Sequence, residues 1–130
     1  MSEWGSIMLR TSTMQRADMM ERTKKFALRI IRLVSKLPKN QVARVISGQL
    51  LRSGTSVGAN YREASRSATK KHFISTLVIA LREAEETLYW LELLAESNTV
   101  KPELLADLRD ECNQLVAILA ASVKKARQTL

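Results

Sequence analysis

The chain has 130 residues, a formal net charge of +8 and a pI near 10.1. That length fits one domain, and four glycines, two prolines and 5% aromatics supply too few turns for a sandwich or barrel. One cysteine, Cys112, excludes a disulfide framework or a multi-thiolate zinc site, and no apolar run approaches the ~18 residues of a membrane span.

Residues 1–17 show no sustained hydrophobic period and read as a mobile N-terminal arm, with 18–130 as the folded unit. Trp4, Ile7, Met8 and Leu9 are apolar for a free tail and suit docking on the body or on a neighbouring subunit. No basic stretch leads into an apolar one, so a soluble, reducing, cytoplasmic setting without a membrane partner is expected.

The spacing of Met19, Phe26, Ile30, Val34 and Leu37 predicts a first helix from Asp18, its N-cap, to Leu37, where Pro38 ends it. A second helix is predicted from Asn40, a good N-cap, to about Ser67, with Val42, Ile46, Leu50, Val57, Tyr61 and Ala64 on one face. Its middle holds Gly48, Gly54 and Gly58, and each glycine inside a helix costs ~1 kcal/mol relative to alanine. A break around Ser53–Ser56 is one reading. The favoured one is an unbroken helix whose small residues admit close packing, because the apolar period stays in phase.

Thr69 predicts the cap of a third helix, with Phe73, Leu77, Ala80, Leu81, Ala84, Leu88, Leu91 and Leu94 inward and Asn98 as a left-handed stop. The fourth begins with Pro102 in its first turn, and Leu105, Leu108, Cys112, Leu115, Leu119 and Val123 form its apolar face. Lys124, Lys125 and Arg127 suit its negative end. Links this short force neighbours to run antiparallel, so the expected fold is all-α, an up-down-up-down antiparallel four-helix bundle.

Charge is distributed unevenly: net +6 over residues 1–40, +5 over 41–71, −4 over 72–100 and +1 over 101–130. One explanation is phosphate binding, with a first stripe of Lys24, Lys25, Arg29, Arg32, Lys36 and Lys39 and a second of Arg44, Arg62, Arg66, Lys70 and Lys71. The other is structural, the acidic third helix meeting a basic one within or between subunits. Nucleic-acid binding is the favoured reading. No aromatics interleave these bases, so backbone contact rather than base stacking is expected.

No catalytic constellation is visible. His72 is the sole histidine, without a neighbouring carboxylate to orient it, and Cys112 sits on an apolar face. A di-metal carboxylate bundle needs two Glu-x-x-His pairs, and SGTSVGAN lacks the lysine and preceding strand of a phosphate loop. The chain is therefore expected to be no enzyme, with no cofactor, metal or small-molecule substrate. If the second and third helices turn near residue 69, facing residues sum to roughly 138. That register predicts a partly buried ion pair of Arg52 with Glu86 or Glu83, beside the small-residue face.

LLRSGTSVGANYREA (50–64), FISTLVIALREAEETLYWLELL (73–94) and FALRIIRLVSKLPK (26–39) together resemble the four-helix bundle proteins encoded in bacterial ribosomal RNA intervening sequences. The resemblance spans about residues 20–125, and Arg52, Ser53, Asn60, Tyr61, Arg62, Glu63, Glu83, Glu86, Tyr89 and Trp90 occupy its characteristic positions. His72 departs from it, standing where an acidic residue is usual. The resemblance implies a homopentameric ring with a basic surface that binds RNA or DNA, RNA being favoured. It also implies similarity in fold to the accessory variability protein of diversity-generating retroelements, so a reverse transcriptase is an alternative partner. A purely structural oligomer is a third reading.

Overall fold

The computed structural model describes residues 13–129. Four helices occupy almost all of them: α1 (Thr13–Ser35), α2 (Gln41–Ser65), α3 (Lys70–Glu96) and α4 (Pro102–Gln128). Consecutive helices pack side by side in alternating directions, and the α1–α4 seam is the thinnest. The chain is an antiparallel four-helix bundle, and none of the described helices is long and apolar enough to cross a membrane.

The helix ends follow local chemistry. Asn40 adopts an extended backbone, and its Oδ1 accepts from the Ala43 N–H at 2.9 Å, satisfying a donor that the helix cannot. Thr69 Oγ1 does the same for the His72 N–H at 3.1 Å. Asn98 stops α3 at φ 58°, letting the Thr99 and Val100 N–H groups return to the Leu94 carbonyl at 3.1 and 3.2 Å. Pro102 opens α4 without needing a donor partner.

α1 departs from its expected start. The helix runs back to Thr13, so Asp18 lies inside it and caps nothing; its carboxylate is instead 4.0 Å from Arg22, one turn on. The stretch read as an arm thus contributes residues 13–17 to α1, and 1–12 lie outside the described residues. α1 also stops at Ser35, two residues before the expected end.

The core is one cluster drawn from all four helices, with Phe26, Ile30, Leu50, Tyr61, Phe73, Leu77, Leu91, Leu115 and Leu119 fully buried within it. Val42, expected on the inner face of α2, is 55% exposed, and Ala43 takes the inward position. Both lie one helical turn before Ile46, and the smaller side chain is the one that points in.

α2 is unbroken through its glycines. A Cβ at Gly54 would stand 2.8 Å from Ile30 Cγ1, and one at Gly58 would stand 3.0 Å from Thr23 Oγ1, so α1 lies directly on this face. Gly48 is a correction: nothing lies within 4 Å of its Cβ position, and it is exposed. It sits six residues, about 240° of helical turn, before Gly54 and so points elsewhere, whereas Gly58 follows by four.

Candidate nucleic-acid interface

The basic residues divide into those that hold the bundle together and those that face solvent. Arg22 belongs to the first group. Its Nη2 and Nε donate to the two Glu111 carboxylate oxygens at 2.7 and 3.2 Å, and Nη2 also reaches Gln114 Oε1 at 3.1 Å. This fork clasps α1 to α4 across their sparse seam. The Glu111 hydrogen bond holds the guanidinium above its usual range, against a smaller opposing effect of burial.

Arg52 is the second structural cation. Its Nη1 donates to Glu83 at 2.8 Å and its Nη2 to Glu86, so the ion pair expected from the register forms with both glutamates. The arginine is 49% exposed and Glu83 only 15%, so the site is a lip at the α2–α3 seam rather than an interior. Trp90 Nε1 donates to Glu86 at 3.0 Å. The indole hydrogen bond, followed by the Arg52 guanidinium, keeps Glu86 below its usual range despite partial burial.

The remaining bases face solvent. Lys24, Lys25, Arg32, Lys36 and Lys39 are exposed and Arg29 is half-buried. Positions 25, 29 and 32 follow spacings of four and three on one flank of α1, and Lys36 follows directly after its last residue. Among the described residues no carboxylate pairs with any of these four. Lys24 lies off that flank, in line with exposed Leu28 and Ile31.

The second set does not form one stripe. Arg44 and Arg62 are eighteen residues apart in α2, about 27 Å along its axis. Arg44 belongs to the end where α2 starts. Arg62, Arg66 and Lys71 are exposed at the end where α2 stops and α3 begins. Lys70 is there too, but its Nζ donates to the Thr129 carbonyl just past α4. That contact brings Lys124, Lys125 and Arg127 to the same pole, a grouping that sequence spacing could not show because it depends on how α4 returns. Most exposed acids lie on α3 and α4, namely Glu85, Glu96, Glu103, Asp107 and Asp110; Asp18 and Glu21 are exposed on α1 and Glu63 on α2.

Neither residue most suited to nucleophilic or acid–base chemistry joins a constellation. His72 is exposed in the first turn of α3. Cys112 is fully buried, its Sγ 3.3 Å from the Ala84 carbonyl, and burial pushes the thiol up to about 12. Ala84 is twelve residues along α3 from His72, about 18 Å. Among the described residues no group of three or more His, Cys, Asp or Glu could hold a metal ion.

Residues 15–121 match the model of a family described as 23S rRNA-intervening sequence protein. The chain belongs to that family. It is also similar to a protein of unknown function from the S23 ribosomal protein family of Bacteroides thetaiotaomicron, solved by crystallography at 1.70 Å. The two are 38% identical, with 84% of this chain and 97% of that one covered and a TM-score of 0.78. No curated protein matches. The matched span of this 23S rRNA-intervening sequence family member takes in α2 and α3 entirely, with both the Arg52–Glu83–Glu86 lip and the glycine face.

Proposed function

We propose that this chain is a non-enzymatic, self-assembling adaptor that binds nucleic acid, RNA in preference, through backbone phosphates. The observation that carries this reading is the separation of charge. Residues 1–71 hold net +11, while most of the exposed acids, Glu85, Glu96, Glu103, Asp107 and Asp110, lie on α3 and α4. Arg22 and Arg52, which cross helix seams, are paired with carboxylates; the cations of the α1 flank, exposed except for half-buried Arg29, have no carboxylate partner among the described residues. Such cations release condensed counterions when they meet a polyanion. The family's description, which ties its members to 23S rRNA, agrees with RNA as the ligand class.

Assembly into a homopentameric ring is part of the proposal. Five copies of a +8 chain would carry +40 and concentrate that field. The test is binding of the purified protein to structured RNA and to duplex DNA across a salt series, with mass by light scattering in the same buffers. Tight binding with a steep salt slope from a pentamer supports the proposal. No binding at low salt would refute it and direct attention to a protein partner such as a reverse transcriptase.

A further inference from the structure

We infer that the phosphate contact is made chiefly at one pole of the bundle, where α2 ends, α3 begins and α4 ends, rather than along the α1 flank. The inference rests on the nucleic-acid reading above and assigns its site. Over residues 61–72 the sequence holds Arg62, Arg66, Lys70 and Lys71 and the single acid Glu63; over 120–129 it holds Lys124, Lys125 and Arg127 and no Asp or Glu. These two segments therefore bring net +6 to one end. The contribution of 13–20, from Arg16 and Asp18, is zero. At the opposite end Arg32, Lys36, Lys39, Arg44 and Lys101 are offset by Glu92, Glu96, Glu103 and Asp107, leaving net +1. The bundle is polar along its axis, and the contact from Lys70 to Thr129 ties the two basic segments together.

Helix electrostatics give a second, independent reason. The N-terminus of a helix carries partial positive charge and favours acids. α4 obeys this, with Glu103 in its first turn and Lys125 and Arg127 in its last. α3 does the reverse: Lys70 and Lys71 stand in its first turn with no acid there. Lys70 spends its charge on the carbonyl end of α4, but Lys71 and the exposed His72 leave the positive end of α3 uncompensated. A phosphodiester backbone laid across this pole would bring its phosphates to the α3 terminus and to Lys71, Arg66 and Arg127, which relieves the conflict that the free protein carries. The ligand chemistry is a phosphodiester backbone, read by charge and not by base edges.

The test compares two charge-matched triple variants of the full chain: Arg66→Glu, Lys71→Glu and Arg127→Glu at the pole, against Lys25→Glu, Arg32→Glu and Lys36→Glu on the α1 flank. Each is titrated with a structured RNA and with a DNA duplex of equal length from 50 to 300 mM salt. Helical content is checked by circular dichroism. The pole variant should bind either ligand at least tenfold more weakly, with the log–log salt slope flatter by about two to three units; the flank variant should stay within threefold. The single variant Lys71→Glu should melt a few degrees higher than wild type while binding more weakly, since an acid suits the α3 terminus. Equal losses in both triples, or loss only in the flank variant, would overturn the pole while leaving the nucleic-acid reading intact. Failure of the wild type to bind either ligand at 50 mM salt would overturn the reading itself. Preference for vesicles of anionic lipid over both nucleic acids would overturn both.

Discussion

The hydroxyls of Ser53 and Thr87 share a hydrogen bond of 2.9 Å, fully buried between α2 and α3. Thr87 also reaches the Glu83 carbonyl at 2.7 Å, so a neutral polar link lies directly beneath the Arg52 lip. Buried hydroxyls are costly when left unpartnered and modestly favourable when paired. Thr87→Val should destabilise the protein by about 1 kcal/mol, and Ser53→Ala by a similar amount. The double variant should cost less than the sum, because the two side chains share one bond. Urea denaturation of the four species gives the coupling; strict additivity would mean that each hydroxyl acts through its own helix alone.

Glu86 links stability to pH. Its carboxyl is held below the usual range, first by the Trp90 indole N–H and then by Arg52. A depressed carboxylate adds stability that is present above its unfolded value, about 4.3, and is lost as pH falls through its lower folded value. Wild type should therefore lose more stability between pH 5 and 3 than Glu86→Gln does. Trp90 fluorescence should change over the same window, because its partner loses charge. Parallel acid-denaturation curves for the two proteins would show that the lip contributes nothing.

Much of this arrangement was legible in residue spacing, for physical reasons. A four-residue connection, 66–69, fixes the α2–α3 register, and the register brings Arg52 to Glu86. The caps at Asn40 and Thr69 and the stop at Asn98 depend on neighbours within a few residues, so local sequence suffices. The start of α1 was not legible, since a mid-helix aspartate and a cap are chemically alike. The Arg22–Glu111 clasp and the basic pole were also hidden. Both depend on where α4 lies relative to distant segments, and no short loop dictates that between α1 and α4. Of the candidate interface, the sequence supplied the charged residues but not their division between the two ends.

Two of the α2 glycines, Gly48 and Gly54, should separate by sign. Gly48→Ala meets open space and should stabilise the helix by roughly 0.5–1 kcal/mol. Gly54→Ala presses a methyl group within 2.8 Å of Ile30 Cγ1 and 2.9 Å of Cγ2, where a branched side chain has little room to turn. It should destabilise by about 1–3 kcal/mol, and Ile30→Ala should cost less in that background than in wild type, because it vacates the contested space. Thermal melts of these variants decide it. A Gly54→Ala protein as stable as wild type would mean that α1 shifts freely on α2.

Cys112 should be inert in the native state. Its thiol is buried against the Ala84 carbonyl and pushed up to about 12, and thiolate is the reactive form. Desolvation is the main cause, with Glu111 and Glu92 adding repulsion. At pH 8 an aromatic disulfide reagent should label the folded chain only as fast as the bundle opens, and completely in denaturant.

The clasp between α1 and α4 gives a sharper test of how the bundle closes. Arg22 and Glu111 are both half-buried, and their forked contact bridges the most thinly packed pair of neighbouring helices. Removing the guanidinium leaves Glu111 without its cation and the seam with few side chains to hold it. Arg22→Met keeps the apolar stem and should cost about 1–2 kcal/mol globally, within the range of charge-assisted hydrogen bonds. The loss should be uneven in space. α2 and α3 share the broadest contact and should keep their amide protection, whereas α1 should exchange faster along its N-terminal half. Glu111→Gln should reproduce that pattern more mildly, since an amide oxygen still accepts from Arg22. Hydrogen exchange that rises equally in all four helices would instead mean that α1 unfolds only with the whole bundle.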